Sequence, residues 1–271
     1  MSDNWNFKGL AQDVLVKSNT SSCCNDSSSQ DTSKIENPSN PINHVTNEFI
    51  KDFEKYLKEL GIINVSYVNN VKDCFLHNLD FDFEAAIVFS YEIRQCILDA
   101  GPGSKAQKYN SDLYADFGNL TYKISDYLRL RGFETMVAHP RKDTVDFLYL
   151  AQKGKMGVIG KSGLLISPHK GPNQKIAAIL VNIKNLPETK NNNYEWISDY
   201  CNYCNSCVRA CPNNALILDK KNQDVNFSKE SCIGCSEGCT ECIKSCPFYK
   251  KEYELVFEEY KKIKSDLKSS R

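Results

Sequence analysis

The stretch CNYCNSCVRACP, Cys201–Pro212, spaces four cysteines as C-x2-C-x2-C-x3-C and follows the last with proline. About twenty residues on, CIGCSEGCTECIKSCP, Cys232–Pro247, closes with the same C-x3-C-P ending. The first run is the bacterial ferredoxin pattern, in which the fourth cysteine of each run ligates the other of two 4Fe–4S clusters. The spacing has a physical reason. Three thiolates two residues apart on a tight loop cap three iron corners of one cubane, and the fourth is carried away on a short helical turn that the proline disfavours continuing. This wiring predicts one cluster on Cys201, Cys204, Cys207 and Cys246. The second takes Cys211, Cys242 and two more from Cys232, Cys235 and Cys239.

The second run holds five cysteines, so one is spare. The favoured reading uses Cys232-x2-Cys235-x6-Cys242 and treats Cys239 as a passenger on a small insertion. The other uses Cys235-x3-Cys239-x2-Cys242, with Cys239 substituting for Cys232. Two zinc knuckles would need two tetrahedral sets of four thiolates, and the paired C-x3-C-P endings argue against them.

The totals bound what surrounds this segment. The 271 residues have an apolar content of 41 % and suffice for one large or two smaller domains. Lys and Arg number 34 against 34 Asp and Glu, so no global field draws the chain to nucleic acid or an anionic membrane. Nine of the 13 cysteines crowd residues 201–246 rather than spreading as a disulfide framework. The N-terminal MSDNWNFKGLAQDVLV has no secretory or twin-arginine pattern, and no apolar run reaches membrane-spanning length. A cytoplasmic protein without a membrane partner is expected.

Three regions are legible. Residues 1–46 read as a flexible tail, because 18–46 are almost all Ser, Thr, Asn, Asp and Pro. Trp5, Phe7, Leu10 and Val14 lie near helical spacing and suggest a short docking helix or a frayed end. From 47 to 186 helices and strands alternate, the mark of an α/β domain. NEFIKDFEKYLKELG predicts a helix capped by Asn47 and stopped by Gly61. IINVSYVN, EAAIVFSY, FETMVAH and KIAAILVNI predict strands. A long helix presents Leu113, Tyr114, Phe117, Leu120, Ile124, Tyr127, Leu128 and Leu130, and DTVDFLYLAQKG predicts a short one. Residues 187–271 then form the cysteine module with a terminal amphipathic helix. A free-standing ferredoxin needs only about sixty residues, so the preceding domain implies work beyond electron storage.

KGKMGVIGKSGLLISPHKGPNQK, residues 153–175, places Gly154, Gly157, Gly160 and Gly163 at every third position. This is not a dinucleotide fingerprint. Such glycines either admit a large ligand or make tight turns.

Together, AAIVFSYEI, the helix ending DYLRLRGFETMVAH, the loop MGVIGKSGLLISPHKGP, the strand KIAAILVNI and the double cysteine run resemble the cobalamin-dependent iron–sulfur reductases. That family comprises epoxyqueuosine reductase and the catalytic subunits of reductive dehalogenases. The resemblance covers about residues 47–250 and implies a nitroreductase-like α/β core holding base-off cobalamin against a two-cluster ferredoxin-like domain. It implies that Gly157, Gly160, Lys161, Ser162, Gly163 and Leu164 line the corrin. It also implies a tyrosine proton donor with a basic neighbour, here Tyr114, with Tyr109 second, and Lys161 as the base. An external electron donor (a ferredoxin, a flavodoxin or a reductase) and a small-molecule or modified-base substrate follow from the same resemblance.

Two departures stand out. The Asp-Tyr-His stretch that supplies the donor in epoxyqueuosine reductase is replaced by GPGSKAQKYNSDLY, and the neutral charge does not support tRNA as the partner. His44, His77, His139 and His169 show no metal-ligand spacing, and Cys74 and Cys96 are expected as buried thiols. The expected activity is an iron–sulfur oxidoreductase reducing an organic substrate through cobalamin. The alternatives are a two-cluster electron-transfer protein without cobalamin and a corrinoid-reducing accessory protein.

Overall fold

The computed structural model describes residues 33–76, 82–138, 144–189, 194–219 and 221–269, apart from the Cys235 side chain. Cys23, Cys24, His77, His139 and the apolar positions of residues 5–14 lie outside these.

The first domain is a sheet with helices on it. Helix α1 (Asn47–Glu59) leads to β1 (Ile62–Asn69), a 3-10 turn (Lys72–Cys74), β2 (Ala85–Glu92), α2 (Gln95–Asp99) and the long α3 (Ser104–Arg129). β3 (Thr135–Ala138), α4 (Phe147–Lys153), β4 (Val158–Ile159), β5 (Leu165–Ile166) and β6 (Gln174–Val181) follow. The four long strands pair in the order β1-β2-β6-β3. Every pairing is antiparallel, with Val88 opposite Ala178 and Val137 opposite Ile179. The continuous apolar run of β2 is explained by burial on both faces. Ile87 and Phe89 pack with Phe53 and Leu57 of α1 and Phe117, Ile124 and Leu128 of α3. Ala86 and Val88 point the other way, onto Leu150 and Ala151 of α4, Met156 and Leu165. Each fully buried Leu, Ile or Phe contributes about 1.5–3 kcal/mol.

Three local expectations change. Thr46, not Asn47, caps α1, its hydroxyl accepting the Phe49 N–H at 3.1 Å. Helix α3 starts nine residues before Leu113. Tyr114 and Leu130 leave its apolar stripe for solvent: Tyr114 stands one residue, about 100°, past Leu113, and Leu130, the residue that ends the helix, stands two past Leu128.

Residues 33–46, expected within the flexible tail, instead strap the first domain. The Lys34 and Ile35 amides donate to the Asp126 carboxylate, and Arg129 donates to Ile35 O at 2.7 Å. Asn37 exchanges two hydrogen bonds with the Thr135 backbone, as strand neighbours would. Ile42 N–H donates to Gly132 O at 2.7 Å. Backbone and side-chain hydrogen bonds hold what composition alone could not.

The second region carries α5 (Glu195–Cys204), α6 (Ser206–Ala210), β7 (Leu216–Leu218), β8 (Val225–Phe227), α7 (Gly234–Glu237), α8 (Glu241–Lys244), α9 (Pro247–Lys250) and α10 (Tyr253–Ser269). It packs tightly on the first. Ile243 joins Ile97, Leu98 and Leu113, while Ile166 joins Ile197, Tyr200, Phe248 and Val256. Gly103 N–H donates to Glu237 O at 2.8 Å. Among the described residues no helix is long and apolar enough to cross a membrane.

Candidate functional site

The first cysteine run lies on a broken helix rather than a loop. Cys201 and Cys204 occupy the last turn of α5, Asn205 adopts a left-handed φ of 49°, and Cys207 begins the next helix. A residue in that conformation, which asparagine tolerates, turns Cys207 back toward its neighbours. Cys211 leaves α6 extended before Pro212, and Cys246 precedes Pro247 at the first position of α9.

These turns gather the thiols. Cys201, Cys204, Cys207 and Cys246 line one cavity, with Tyr200, Phe248, Ile166, Lys161 and Asn205 as its other main walls. Burial pushes the Cys201 and Cys246 thiols up to about 12, with neighbouring thiolates adding to the rise. Backbone N–H groups of Lys161 and Phe248 pull those two thiols the other way. Cys204 Sγ lies 3.2 Å from Ser206 Oγ. A set of buried thiols that resists ionising alone, yet faces amide donors, suits metal that displaces the protons.

A second group assembles from Cys211, Cys232, Cys239 and Cys242. Burial raises the Cys242 thiol first, and Cys207, Cys239, Cys232 and Cys211 add to the rise. Burial also raises Cys239, which feels Cys232 and Cys211. Ala215 N–H donates to Cys211 Sγ at 3.2 Å and Gly234 N–H to Cys232 Sγ at 3.4 Å. Cys239 thus stands with the group and is not set apart as a passenger, and so does Cys232. Cys207 acts electrostatically on Cys242, and α6 packs against α8, so the two groups lie side by side.

The glycine loop is occupied by the protein itself. A Cβ on Gly157 would lie 2.1 Å from Ile166 O, and one on Gly160 would lie 2.4 Å from the Ile166 side chain and 3.7 Å from Cys201 Sγ. The loop folds as the β4–β5 hairpin, closed by Gly160 N–H to Leu164 O at 2.9 Å, with Gly163 in its left-handed turn. Leu164 packs among Ile97, Leu98, Leu113 and Ile243. Ser162 joins the wall of the Cys201 cavity. Lys161 is only 6 % exposed and donates to Asn205 Oδ1 at 3.2 Å.

Tyr114 and Lys161 meet different partners. Tyr114, 38 % exposed on α3, accepts a hydrogen bond from Lys175 Nζ at 3.0 Å, and that ammonium lies 4.3 Å from the ring centroid. The base in contact with Tyr114 is therefore Lys175 of β6. Tyr109 is half-buried beside Ile97 and Leu113, with Lys105 over its ring at 5.8 Å. The Lys175 assignment had no signal at the polar start of an otherwise apolar strand; only the register opposite Tyr91 places it near α3. Cys74 is buried, as expected, whereas Cys96 is exposed on the short α2, which has too few residues to cover both faces.

Comparison with known proteins gives the same outline. Residues 200–250 match the family of 4Fe-4S dicluster domains. The tetrachloroethene reductive dehalogenase of Desulfitobacterium hafniense is 26 % identical over 140 residues, covering 52 % of this chain and 25 % of its own length. A reductive dehalogenase structure, whose description invokes B12-dependent dehalogenation, superposes with a TM-score of 0.67 at 15 % identity, covering 83 % of this chain and 36 % of that one. Epoxyqueuosine reductase from Streptococcus thermophilus superposes with a TM-score of 0.52 at 17 % identity, covering 75 % and 67 %. The chain thus shares the mixed α/β fold of these reductases and carries a C-terminal 4Fe–4S dicluster domain. It spans about a quarter of the length of the curated dehalogenases it matches.

Proposed function

We propose that the chain is an iron–sulfur oxidoreductase that takes electrons from an external ferredoxin, flavodoxin or reductase and passes them through two 4Fe–4S clusters to an organic substrate. The observation that carries this reading is the pair of four-thiol groups meeting at Cys207 and Cys242, one of them walled by the first domain. The residues fit the clusters: Cys201, Cys204, Cys207 and Cys246 are assigned to one, and Cys211, Cys232, Cys239 and Cys242 to the other. Such clusters, when bound, carry single electrons at potentials set by charge, hydrogen bonds to sulfur and solvent exposure. The chain's part is to seat them side by side, exclude water from the first, and point it at the first domain.

Tyr114 is the proton donor of this reading, and Lys175 its base. The Tyr114 side chain is 38 % exposed, open to an incoming substrate, while the Lys175 ammonium donates to its Oη at 3.0 Å and returns the proton that the phenol gives up. An epoxide in a modified base or a carbon–halogen bond suits such a donor, since each leaves a centre that must be protonated after reduction.

Base-off cobalamin on a nitroreductase-like core is the acceptor implied by the family resemblance, and the residues assigned to it do not fit. Gly157 and Gly160 are filled by Ile166, Leu164 is half-buried against Ile97, Leu98 and Leu113, and Lys161 and Ser162 face the thiols of the first site. No step is derived through it. The filled loop favours, as a second reading, a two-cluster electron-transfer protein that serves its acceptor by docking.

Anaerobic reconstitution with iron, sulfide and hydroxocobalamin, read by electron paramagnetic resonance and visible spectra, separates these. About eight irons per chain with retained corrinoid reinstates cobalamin as the acceptor and overturns the misfit of the glycine loop. About eight irons without corrinoid, and no reoxidation of the reduced clusters by a halogenated or epoxide substrate, supports the second reading. A chain that assembles no 4Fe–4S cluster sinks both.

A further inference from the structure

Lys161 is the one group singled out as catalytic that the reading above leaves without a task. It is 6 % exposed, and the acceptor on its ammonium is the neutral Asn205 Oδ1 at 3.2 Å. A buried ammonium with a neutral acceptor is costly unless an anion stands close by. The surroundings supply one. Lys161 lines the cavity of Cys201, Cys204, Cys207 and Cys246, and its own backbone N–H donates to the Cys201 sulfur. Burial works against its charge, and the opposite charges that favour its ammonium are those of Cys201, Cys207, Asp224 and Cys204, three of them sulfurs of that one site, which carry charge once metal displaces their protons. Asn205 is the left-handed residue between Cys204 and Cys207, so the lysine is anchored to the segment that spaces those thiols.

We propose that Lys161 is a positioning residue that sets the reduction potential of the cluster held by Cys201, Cys204, Cys207 and Cys246. This deepens the iron–sulfur reading and rests on it. A 4Fe–4S cluster gains one negative charge on reduction, and a fixed cation against its ligands favours the reduced state. The cluster beside the first domain therefore becomes the electron sink of the pair. Electrons that enter through the site of Cys211, Cys232, Cys239 and Cys242 therefore collect at the first site.

The test uses the full chain, reconstituted anaerobically and titrated with electron paramagnetic resonance detection. The Cys246→Ser variant identifies which signal belongs to the first site. Lys161→Met keeps the length of the side chain and removes its charge. At the potential where the wild-type first cluster is half reduced, this variant is expected to show a reduced-to-oxidised ratio at least about tenfold lower, a shift of about 59 mV for one electron. The second cluster stays put, and Lys161→Arg recovers most of the shift. Unchanged potentials in Lys161→Met, with both clusters present, overturn the proposal and leave the iron–sulfur reading intact. Loss of the first cluster from both Lys161→Met and Lys161→Gln overturns it in favour of an assembly role. Absence of clusters from the wild type overturns the underlying reading and the proposal with it.

Discussion

The two cysteine sites share a motif and differ in their walls. The first borrows from both domains: Lys161, Ser162 and Ile166 come from the hairpin of the first, and Tyr200 and Phe248 from the second. Behind Phe248 stands an aromatic group centred on Trp196, whose ring lies 4.8 Å from Phe257, 5.3 Å from Tyr253, 5.4 Å from Tyr260 and 5.6 Å from Phe248. The second site is built within its own module, from the end of α6, the turn before α7 and the start of α8, and meets the first domain where Cys242 packs beside Ile97 and Leu113. Identical ligands thus sit in unlike surroundings. On the proposed reading, surroundings rather than ligands decide which cluster holds the electron.

The largest expected effect tests the wiring. Cys246→Ser should cut iron from about eight to about four per chain and abolish the signal of the first cluster only. Cys232→Ser and Cys239→Ser should each remove the second. Cys235→Ser should keep the full iron content; loss of four irons there would return Cys235 to the ligand set.

Next comes the exposed pair on the first domain. Tyr114→Phe should slow substrate reduction by about 10²-fold or more while iron content and potentials hold, as expected for loss of a positioned proton donor. Lys175→Met should cost less, because the phenol remains. Turnover unchanged in Tyr114→Phe removes it from the chemistry.

Trp196→Ala sharpens the contrast between the walls. Truncating this half-buried ring should cost about 3 kcal/mol in denaturant unfolding and hasten loss of the first cluster in air relative to the second. Equal rates of loss would show that the aromatic group does not shield the first site.

The smallest effect is electrostatic. Burial raises the Asp199 carboxyl, but hydrogen bonds from Lys264 and Tyr260, the latter at 2.6 Å, bring it below the ordinary value of 3.8. A carboxyl held low in the folded state stabilises it above the ordinary value, and that contribution is lost as pH falls through the lowered one. Acid below about pH 4 should therefore loosen α10 from α5. Asp199→Asn should remove at most about 1 kcal/mol near neutrality, since the pair is partly exposed, and flatten that acid limb. An unaltered acid limb would place the dependence elsewhere.

Strand and helix positions were largely legible because periodicity reports burial. IINVSYVN forms β1 without a shift, and EAAIVFSY differs from β2 by one residue at each end. The hairpin β4–β5 was not legible, since two-residue strands carry no period. Nor was the strap of residues 33–46, whose hold comes from Asn37 and backbone groups bonding Thr135 and Asp126, distant in the chain. Composition reports how much apolar surface a segment can bury, not whether its polar groups find partners.

The sequence by itself pointed to two interleaved thiol groups in Cys201–Cys211 and Cys232–Cys246, because in the ferredoxin pattern the last cysteine of each C-x3-C-P ending serves the neighbouring site. It also set the order of the long strands and helices in the first domain. Only the tertiary structure decided which base touches Tyr114, which face the glycine loop fills, and where the Lys161 charge is buried. Each of these depends on contacts between segments far apart in the chain. Lys161 meets Asn205 across 44 positions and Lys175 meets Tyr114 across 61, separations over which no local pattern carries information and only packing brings charge to its partner.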